Sequence, residues 1–210
     1  MKQSEPWFIG LTGGAGCGKS RVCALLAEHF GAGILEADKI ARDLCAPGGS
    51  CLPLIHETFT DDSLYLPDGS MDRRAFGELV FQDEKTRNQL NRIVYPEVKR
   101  YIISRLEDER RIGRPGMLVL ESAQLLEDGY DKICDELWYV YASESQRRQR
   151  LMETRGYTTE KIDGLFRSQP TEEEFLSRCA AVVDNSGALE DTLRALKTLV
   201  RERRNERDAK

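Results

Sequence analysis

A glycine-rich stretch after the first apolar run constrains the fold of this chain more than any other feature. Residues 13–20 read GGAGCGKS, which fits the pattern G-x-x-x-x-G-K-[ST]. The apolar residues 8–11 before it predict a strand, and the helical spacing of apolar residues over 21–30 predicts a helix after it. Glycine lets successive backbone N–H groups approach phosphate oxygens, and the helix N-terminus adds the positive end of its dipole. The stretch therefore predicts a site for a nucleoside triphosphate.

The last two residues of this stretch carry side chains suited to phosphate chemistry. Lys19 can reach the β- and γ-phosphate oxygens, and the Ser20 hydroxyl can bind Mg²⁺. A glycine-rich turn that binds nothing is the alternative, and the full motif between a strand and a helix disfavours it. A dinucleotide site would need glycine at position 19, and a GTPase would need an N-K-x-D motif, which the sequence lacks.

Strand and helix patterns alternate along the chain, which is typical of a parallel sheet. Gly31 supplies a stop signal for the first helix, and the second strand is expected to run into Glu36-Ala37-Asp38 and a new helix that ends at Leu44. Strands are expected at 8–11, 34–35, 117–121, 136–141 and 182–184. The fold class we predict is α/β, a P-loop NTPase with a parallel sheet flanked by helices.

A helical block separates the second and third strands. It predicts helices over 72–80, capped by Asp72, over 83–94, and over 96–111, opened by Pro96. We expect a nucleotide-binding core of residues 1–47, 113–142 and 179–210, a helical acceptor-binding subdomain of 48–112, and a lid of 143–178. A last helix begins near Leu189 and is expected to fray into a solvated basic tail.

Composition narrows the class of protein. A formal net charge of -5 argues against broad nucleic-acid binding, and no apolar run approaches the ~20 residues needed to span a bilayer. The six cysteines include no C-x-x-C pair, so we expect reduced thiols and a cytoplasmic location. Only two histidines are present, which disfavours a histidine triad or metal cluster.

A carboxylate and an arginine cluster are the candidates for chemistry. Asp38 follows the second strand, where open α/β sheets bind ligands, and could accept a proton from an acceptor hydroxyl or help hold Mg²⁺. A helix N-cap is its compatible alternative role, and Glu36 is a weaker catalytic candidate. Ser143-x-x-Gln146 predicts the start of a helix, and a break at Gly156 predicts a hinged lid. We expect two of the five lid arginines to touch nucleotide, and others to pair with Glu144 or Glu153; the five are Arg147, Arg148, Arg150, Arg155 and Arg167.

At this point the sequence resembles the dephospho-CoA kinase family, nearly end to end. The matching segments are IGLTGGAGCGKS at 9–20, EADKIAR at 36–42, MDRR at 71–74, VF at 80–81, LLE-x-G at 125–129, Gln169 and VDNSG at 183–187. The resemblance implies ATP-dependent phosphorylation of the ribose 3'-hydroxyl of dephospho-CoA, with Mg²⁺ as cofactor and these two small molecules as substrates.

The resemblance also implies roles for individual residues. Asp38 becomes the catalytic base, with Lys19 and Arg155 assisting catalysis; Arg42 and Arg74 join Asp38 at the acceptor. Asn185 and its loop lie near adenine. The remaining ATP contacts fall on Gly14, Ala15, Gly16, Cys17, Gly18, Lys19, Ser20 and Arg21, with Ser20 as the magnesium ligand. Because Cys17 lies beside a helix N-terminus, we expect its thiol pKa to be lowered.

Two other functions remain open from the residues alone. One is a different small-molecule kinase of this fold, for uridine or a nucleoside monophosphate. The other is a non-catalytic switch that binds ATP and a protein partner, although such a switch has no need of Asp38 or of an arginine lid.

Overall fold

A computed structural model of the chain describes residues 6–112, 116–126 and 129–209. The chain divides into two compact units, the first drawn from Met1–Leu35 and Gly113–Lys210 and the second from Glu36–Ile112. The second unit begins earlier than the predicted subdomain of 48–112, because α2 (Ala37–Leu44) packs on the long helix α5 (Glu84–Ile112). The core and lid boundaries expected from sequence stay predictions. Glu127, part of the LLE-x-G segment, lies outside the described residues.

A five-stranded parallel sheet forms the centre of the fold, in the order β2-β3-β1-β4-β5. All five predicted strands are confirmed, with bounds extended by at most one residue at either end: β1 (Trp7–Thr12), β2 (Gly33–Glu36), β3 (Met117–Glu121), β4 (Glu136–Tyr141) and β5 (Ala181–Asp184). Since β1 lies between β3 and β4, the loop that follows it leaves the sheet at the middle of its carboxyl edge.

Strand β1 is buried along its whole length, as expected for a central strand covered on both faces. Its residue Ile9 is opposite Val119 of β3 and Glu136 of β4 in the parallel register. At its start, the Trp7 ring meets the Trp138 ring edge to face at 5.5 Å. The sheet thus holds the end of β1 in a rigid position.

Nine α-helices lie within the described residues, and we number them in chain order. They are α1 (Lys19–Phe30), α2 (Ala37–Leu44), α3 (Cys51–Thr58), α4 (Arg73–Gln82), α5 (Glu84–Ile112), α6 (Glu144–Arg155), α7 (Thr159–Arg167), α8 (Glu172–Arg178) and α9 (Leu189–Asp208). Gly31 and Gly156 end α1 and α6 in the left-handed conformation, at φ 66° and 60°. Both predicted stops are confirmed. Helix α8 was not predicted, although the capping box of Thr171 and Glu174 marks its start in the sequence.

The prediction of two helices separated before Pro96 is wrong. The structure has one helix, α5, with Pro96 inside it. A proline inside a helix removes one backbone hydrogen bond at a cost of about 3 kcal/mol. The apolar stripe of Val94, Val98, Ile102 and Leu106 is buried and keeps its spacing of four across the proline. Burial of this continuous stripe offsets the lost bond. The predicted N-cap of α4 is confirmed, since the Asp72 carboxylate accepts bonds from the N–H groups of Arg74 and Ala75.

The expected fraying of the C-terminal tail is also wrong, because α9 continues to Asp208. Arg203 explains the extension in part. Its guanidinium lies 3.6 Å from the carboxylate of Glu136 in β4 and donates to the carbonyl oxygen of Ala180, just before β5, so both contacts fix the basic tail against the sheet. No helix in the described residues has both the length and the apolar character to cross a membrane.

Candidate active site

The loop between β1 and α1, residues 13–18, folds as a cradle whose backbone conformation and close contacts require glycine. Gly16 and Gly18 have φ of 78° and 87°, which side chains rarely adopt. A Cβ on Gly16 would also lie 2.7 Å from the backbone oxygen of Arg147, and one on Gly18 would collide with the side-chain nitrogen of Asn185. The loop therefore approaches α6 and the residue after β5 more closely than any other residue type permits.

Three consecutive carbonyl oxygens of this loop are held by side chains from elsewhere in the first unit. Arg147 Nε donates to Ala15 O at 2.9 Å, Arg150 Nη1 donates to Gly16 O at 3.4 Å and to Cys17 O at 3.2 Å. The N–H of a planar peptide points opposite to its carbonyl. Fixing these carbonyls therefore directs the N–H groups of Gly16 and Gly18 away from the two arginines, as a phosphate cradle requires, while the N–H of Cys17 donates to the carbonyl oxygen of Gly14 at 3.2 Å within the loop.

Asn185 supports the same loop from the end of β5. It is 2% exposed, and its Nδ2 donates to Cys17 O at 2.8 Å while its Oδ1 accepts from the Thr192 hydroxyl at 3.1 Å. Its backbone oxygen accepts from Arg150 Nη2 at 2.7 Å. Both ends of the side-chain amide are therefore engaged within the protein. A direct contact of Asn185 with ATP stays a prediction.

Lys19 and Ser20 begin α1 directly after the loop. Lys19 Nζ donates to the carbonyl oxygen of Gly13 at 2.9 Å, which folds the ammonium group back over the loop. The Ser20 side chain is exposed, and neither its hydroxyl nor the Arg21 guanidinium has a hydrogen-bond partner among the described residues. The N-cap of α1 is Gly18, so the helix terminus carries no side chain that would compete with an anion.

Gln169, which follows α7, also reaches the loop. Its Oε1 accepts a 3.0 Å bond from the N–H of Ala15 and a 3.1 Å bond from Arg147 Nη2. The Arg147 guanidinium lies 4.1 Å from the centre of the Phe166 ring of α7. The three side chains connect the phosphate loop to α6 and α7.

The arginines of α6 fall on two faces. Arg147 and Arg150, three residues apart, both contact the loop, whereas the sequence analysis placed them among five candidate arginines and singled out Arg155. Arg148 instead joins α6 to α7, at 2.7 Å from both Glu144 and Asp163, which confirms the predicted pair with Glu144. Arg155 ends α6 with an exposed side chain that has no partner in the described part of the chain. The i, i+3 spacing was the available signal, but it does not say which face meets the loop.

The expectation that the thiol pKa of Cys17 is lowered is wrong. Its side chain is 1% exposed, and this burial raises the pKa of the thiol, although the charge of Lys19 acts in the opposite direction. The helix N-terminus therefore does not produce a thiolate here. Burial likewise raises the pKa of Cys134 to about 12 and that of Cys179 to about 11.

In the second unit, the acceptor candidates lie on two helices. Asp38 and Arg42, four residues apart on α2, are exposed and lack a partner among the described residues. The alternative role of Asp38 as N-cap is wrong, because Glu36 holds that position and Asp38 lies in the first helical turn. Arg74 on α4 lies 3.1 Å from Glu78, and its side chain is 89% exposed. A surface pair of this kind contributes little to stability and leaves the guanidinium accessible.

Known proteins resemble the chain in both sequence and fold. The model of the dephospho-CoA kinase family matches residues 7–191. A dephospho-CoA kinase of Symbiobacterium thermophilum is 37% identical over 185 residues, which is 88% of this chain and 76% of that protein.

Two solved structures extend the comparison. The crystal structure of TT1252 from Thermus thermophilus has a TM-score of 0.77 and 33% identity, and the match covers 94% of this chain and 98% of that one. The dephospho-CoA kinase of Campylobacter jejuni has a TM-score of 0.64 at 19% identity over 94% of this chain and 97% of that one, which supports the P-loop kinase fold alone. The family match over residues 7–191, together with the phosphate loop at its start, shows that the chain belongs to the dephospho-CoA kinase family.

Proposed function

We propose that this protein transfers the γ-phosphoryl group of ATP to the ribose 3'-hydroxyl of dephospho-CoA, giving coenzyme A and ADP. The observation that carries the proposal is the family match over residues 7–191, which includes the complete phosphate loop. The geometry of the first unit supports it, because Arg147, Arg150 and Asn185 fix that loop through hydrogen bonds from within the protein.

Phosphoryl transfer depends on positioning and on electrostatic stabilisation more than on covalent chemistry by the protein. The rigid cradle supplies backbone N–H groups for the phosphate oxygens, at no cost of reorganisation during the reaction. Lys19 would exchange the neutral Gly13 carbonyl for the β- and γ-phosphate oxygens, where its charge opposes the negative charge of the transition state. Arg155, exposed at the end of α6, is the proposed second cation at the transferring group.

Asp38 is the proposed general base. Its carboxylate would accept the proton of the 3'-hydroxyl as the oxygen attacks the γ-phosphorus and the bond to the β-phosphate oxygen breaks. An exposed carboxylate without a partner in the described residues is free to bind a hydroxyl group. Arg42, one turn further along α2, and Arg74 on α4 are the proposed partners of the anionic acceptor.

Magnesium is the proposed cofactor, with Ser20 as its protein ligand. The exposed hydroxyl, in the first turn of α1 and without a partner in the described chain, fits this role. Bound with ATP, Mg²⁺ would neutralise charge on the phosphate oxygens.

The proposed location is the cytoplasm. The six cysteines are all free thiols, which favours a reducing compartment.

A single-turnover experiment tests the proposed reaction. Enzyme in excess over γ-labelled ATP should transfer the label to dephospho-CoA in the presence of Mg²⁺, and chelation of the metal should abolish the transfer. ATP binding without transfer to any acceptor would instead identify a nucleotide switch. Transfer to uridine or a nucleoside monophosphate in preference to dephospho-CoA would identify a different kinase of this fold.

A further inference from the structure

Two hydrogen-bond donors of the nucleotide-binding unit converge on one oxygen atom. The backbone N–H of Ala15 and the Nη2 group of Arg147 both donate to Gln169 Oε1, at 3.0 and 3.1 Å. Ala15 is the third residue of the phosphate loop, so its N–H belongs to the group that such loops direct at phosphate. The backbone N–H and the guanidinium together would suit an anionic oxygen, but the acceptor that they share here is the neutral amide oxygen of Gln169.

The guanidinium of Arg147 is held in this position by contacts other than Gln169. Its Nε donates to the carbonyl oxygen of Ala15 at 2.9 Å, and its plane lies over the Phe166 ring at 4.1 Å. The side chain is only partly exposed, and no carboxylate in the described residues pairs with it. A fixed, half-buried cation beside the loop is therefore left with a neutral acceptor.

Gly14 provides the room for this arrangement. A Cβ at that position would lie 2.7 Å from Arg147 Cζ and 3.0 Å from Gln169 Oε1. No other residue type would allow both groups to approach the loop at this point. The close approach is therefore built into the phosphate loop itself.

Gln169 is held by fewer contacts than Arg147. Within the described residues its side chain makes only the two bonds through Oε1, and its Nε2 group has no partner. Rotation of this one side chain would free both donors without moving Arg147. An oxygen of a triphosphate would then give both donors an anionic acceptor in place of a neutral one, and hydrogen bonds to charged groups are the stronger kind.

We propose that Ala15 N–H and Arg147 form a phosphate-oxygen subsite, that Gln169 Oε1 fills it in the nucleotide-free protein, and that ATP displaces Gln169 while Arg147 becomes a phosphate ligand. The inference rests on the proposed function only for the binding of ATP, and it is independent of the acceptor.

Nucleotide binding to two variants tests the subsite, measured by calorimetry with ADP, a non-hydrolysable ATP analogue and adenosine. Arg147→Ala should weaken binding of the two phosphorylated ligands roughly 10- to 100-fold, the range of a lost bond to a charged group, and leave adenosine binding unchanged. Arg147→Lys should show a smaller loss, because lysine keeps the charge without the fork of donors. Gln169→Ala should bind ATP as tightly as wild type or more tightly, because it removes a competitor for the two donors.

Gln149→Ala is the matched control, since Gln149 is exposed on the same helix and bonds only to Glu153 at 2.8 Å. Equal losses for adenosine and ATP in Arg147→Ala, or no loss at all, would overturn the subsite. A Gln169→Ala variant that binds ATP as poorly as Arg147→Ala would show that Gln169 supports the nucleotide rather than yielding to it. If Arg147→Ala does not fold, the results for Gln169→Ala and Arg147→Lys decide the question. These measurements need no phosphoryl acceptor, so their outcome is independent of whether the protein phosphorylates dephospho-CoA.

Discussion

Asn185 and Cys17 are joined by a buried hydrogen bond of 2.8 Å, in which the Asn185 amide donates to the Cys17 carbonyl oxygen across 168 positions of sequence. The other end of the amide accepts a bond from Thr192 at the start of α9. One side chain thus connects the phosphate loop to the last strand and the last helix. The shape of the loop depends on a residue that is itself almost inaccessible to solvent.

Asn185→Asp should therefore destabilise the protein and weaken ATP binding together. The change keeps the size of the side chain but removes the donor to the Cys17 carbonyl oxygen, which then keeps only its 3.2 Å bond from Arg150, and it places a buried carboxylate oxygen against that carbonyl. We expect a cost of about 1–3 kcal/mol in the free energy of unfolding. Urea denaturation and calorimetric titration measure the two effects. Thr192→Val removes the 3.1 Å bond to Asn185 Oδ1 and two longer bonds, of 3.4 Å, to the carbonyl oxygens of Asp184 and Ala188, but it keeps the donor to Cys17, so both effects should be smaller. Wild-type stability and ATP affinity in Asn185→Asp would contradict this role.

Lys19→Ala should leave a folded protein that has lost most of its activity. Among the described residues, the ammonium bonds only to the Gly13 carbonyl, so folding should not depend on it, while its charge is needed at the phosphate oxygens during transfer. Circular dichroism and steady-state ADP release check the two parts. Lys197→Ala, which removes an exposed lysine on α9, is the control. A near wild-type turnover rate in Lys19→Ala would refute the assignment of the phosphate loop.

Asp38→Asn should lower kcat roughly 10²–10⁴-fold, the span typical of general-base catalysis. ATP affinity should change far less, because the substitution keeps the shape of the side chain and removes only the proton acceptor. Asp43→Asn on the same helix, whose carboxylate forms a surface pair with Lys39 at 3.5 Å, should retain activity. Unchanged kcat with a large loss of ATP binding would instead make Asp38 a metal or structural residue.

Burial raises the thiol pKa of Cys17, Cys45, Cys51, Cys134 and Cys179, so these five cysteines should react slowly with iodoacetamide near neutral pH, and Cys17 should not be the first to react. A thiol with a raised pKa holds less of the reactive thiolate at any given pH below that value, and Cys17 is also closed to solvent. Its labelling should increase only as the pH rises or the protein unfolds. Mass spectrometry of labelled peptides gives the order. Preferential labelling of Cys17 in the folded protein near neutral pH would contradict its burial.

The regular elements were predictable where local sequence and tertiary environment agree. Phosphate-loop glycines, the stops at Gly31 and Gly156 and the Asp72 cap each act through a few neighbouring residues, so the sequence shows them directly. Pro96 is different, because its local preference to open a helix is overridden by the buried stripe on α5. The stabilisation gained by burying this stripe depends on the residues that pack against it, and no local sequence pattern identifies those residues.

The site was predictable in its chemistry and less so in its geometry. The motif identified Lys19 and Ser20, but the choice among the arginines depends on which face of α6 meets the loop. That choice rests on distances from Arg147 and Arg150 to carbonyls more than a hundred residues away in sequence. The burial that raises the pKa of Cys17 is likewise a property of the assembled fold, and the position beside a helix N-terminus suggested the opposite.

The central claim is the identity of the acceptor, and a comparison of kcat/KM across acceptors with Mg²⁺-ATP tests it most directly. Dephospho-CoA combines adenosine, a diphosphate and a pantetheine arm, so binding of its remote parts can orient the 3'-hydroxyl for attack. We predict that kcat/KM falls by orders of magnitude when dephospho-CoA is replaced by adenosine or AMP, and that ATP binding is unchanged. The product should carry its new phosphate on the ribose 3' position. A higher kcat/KM for AMP, UMP or uridine than for dephospho-CoA would contradict the account.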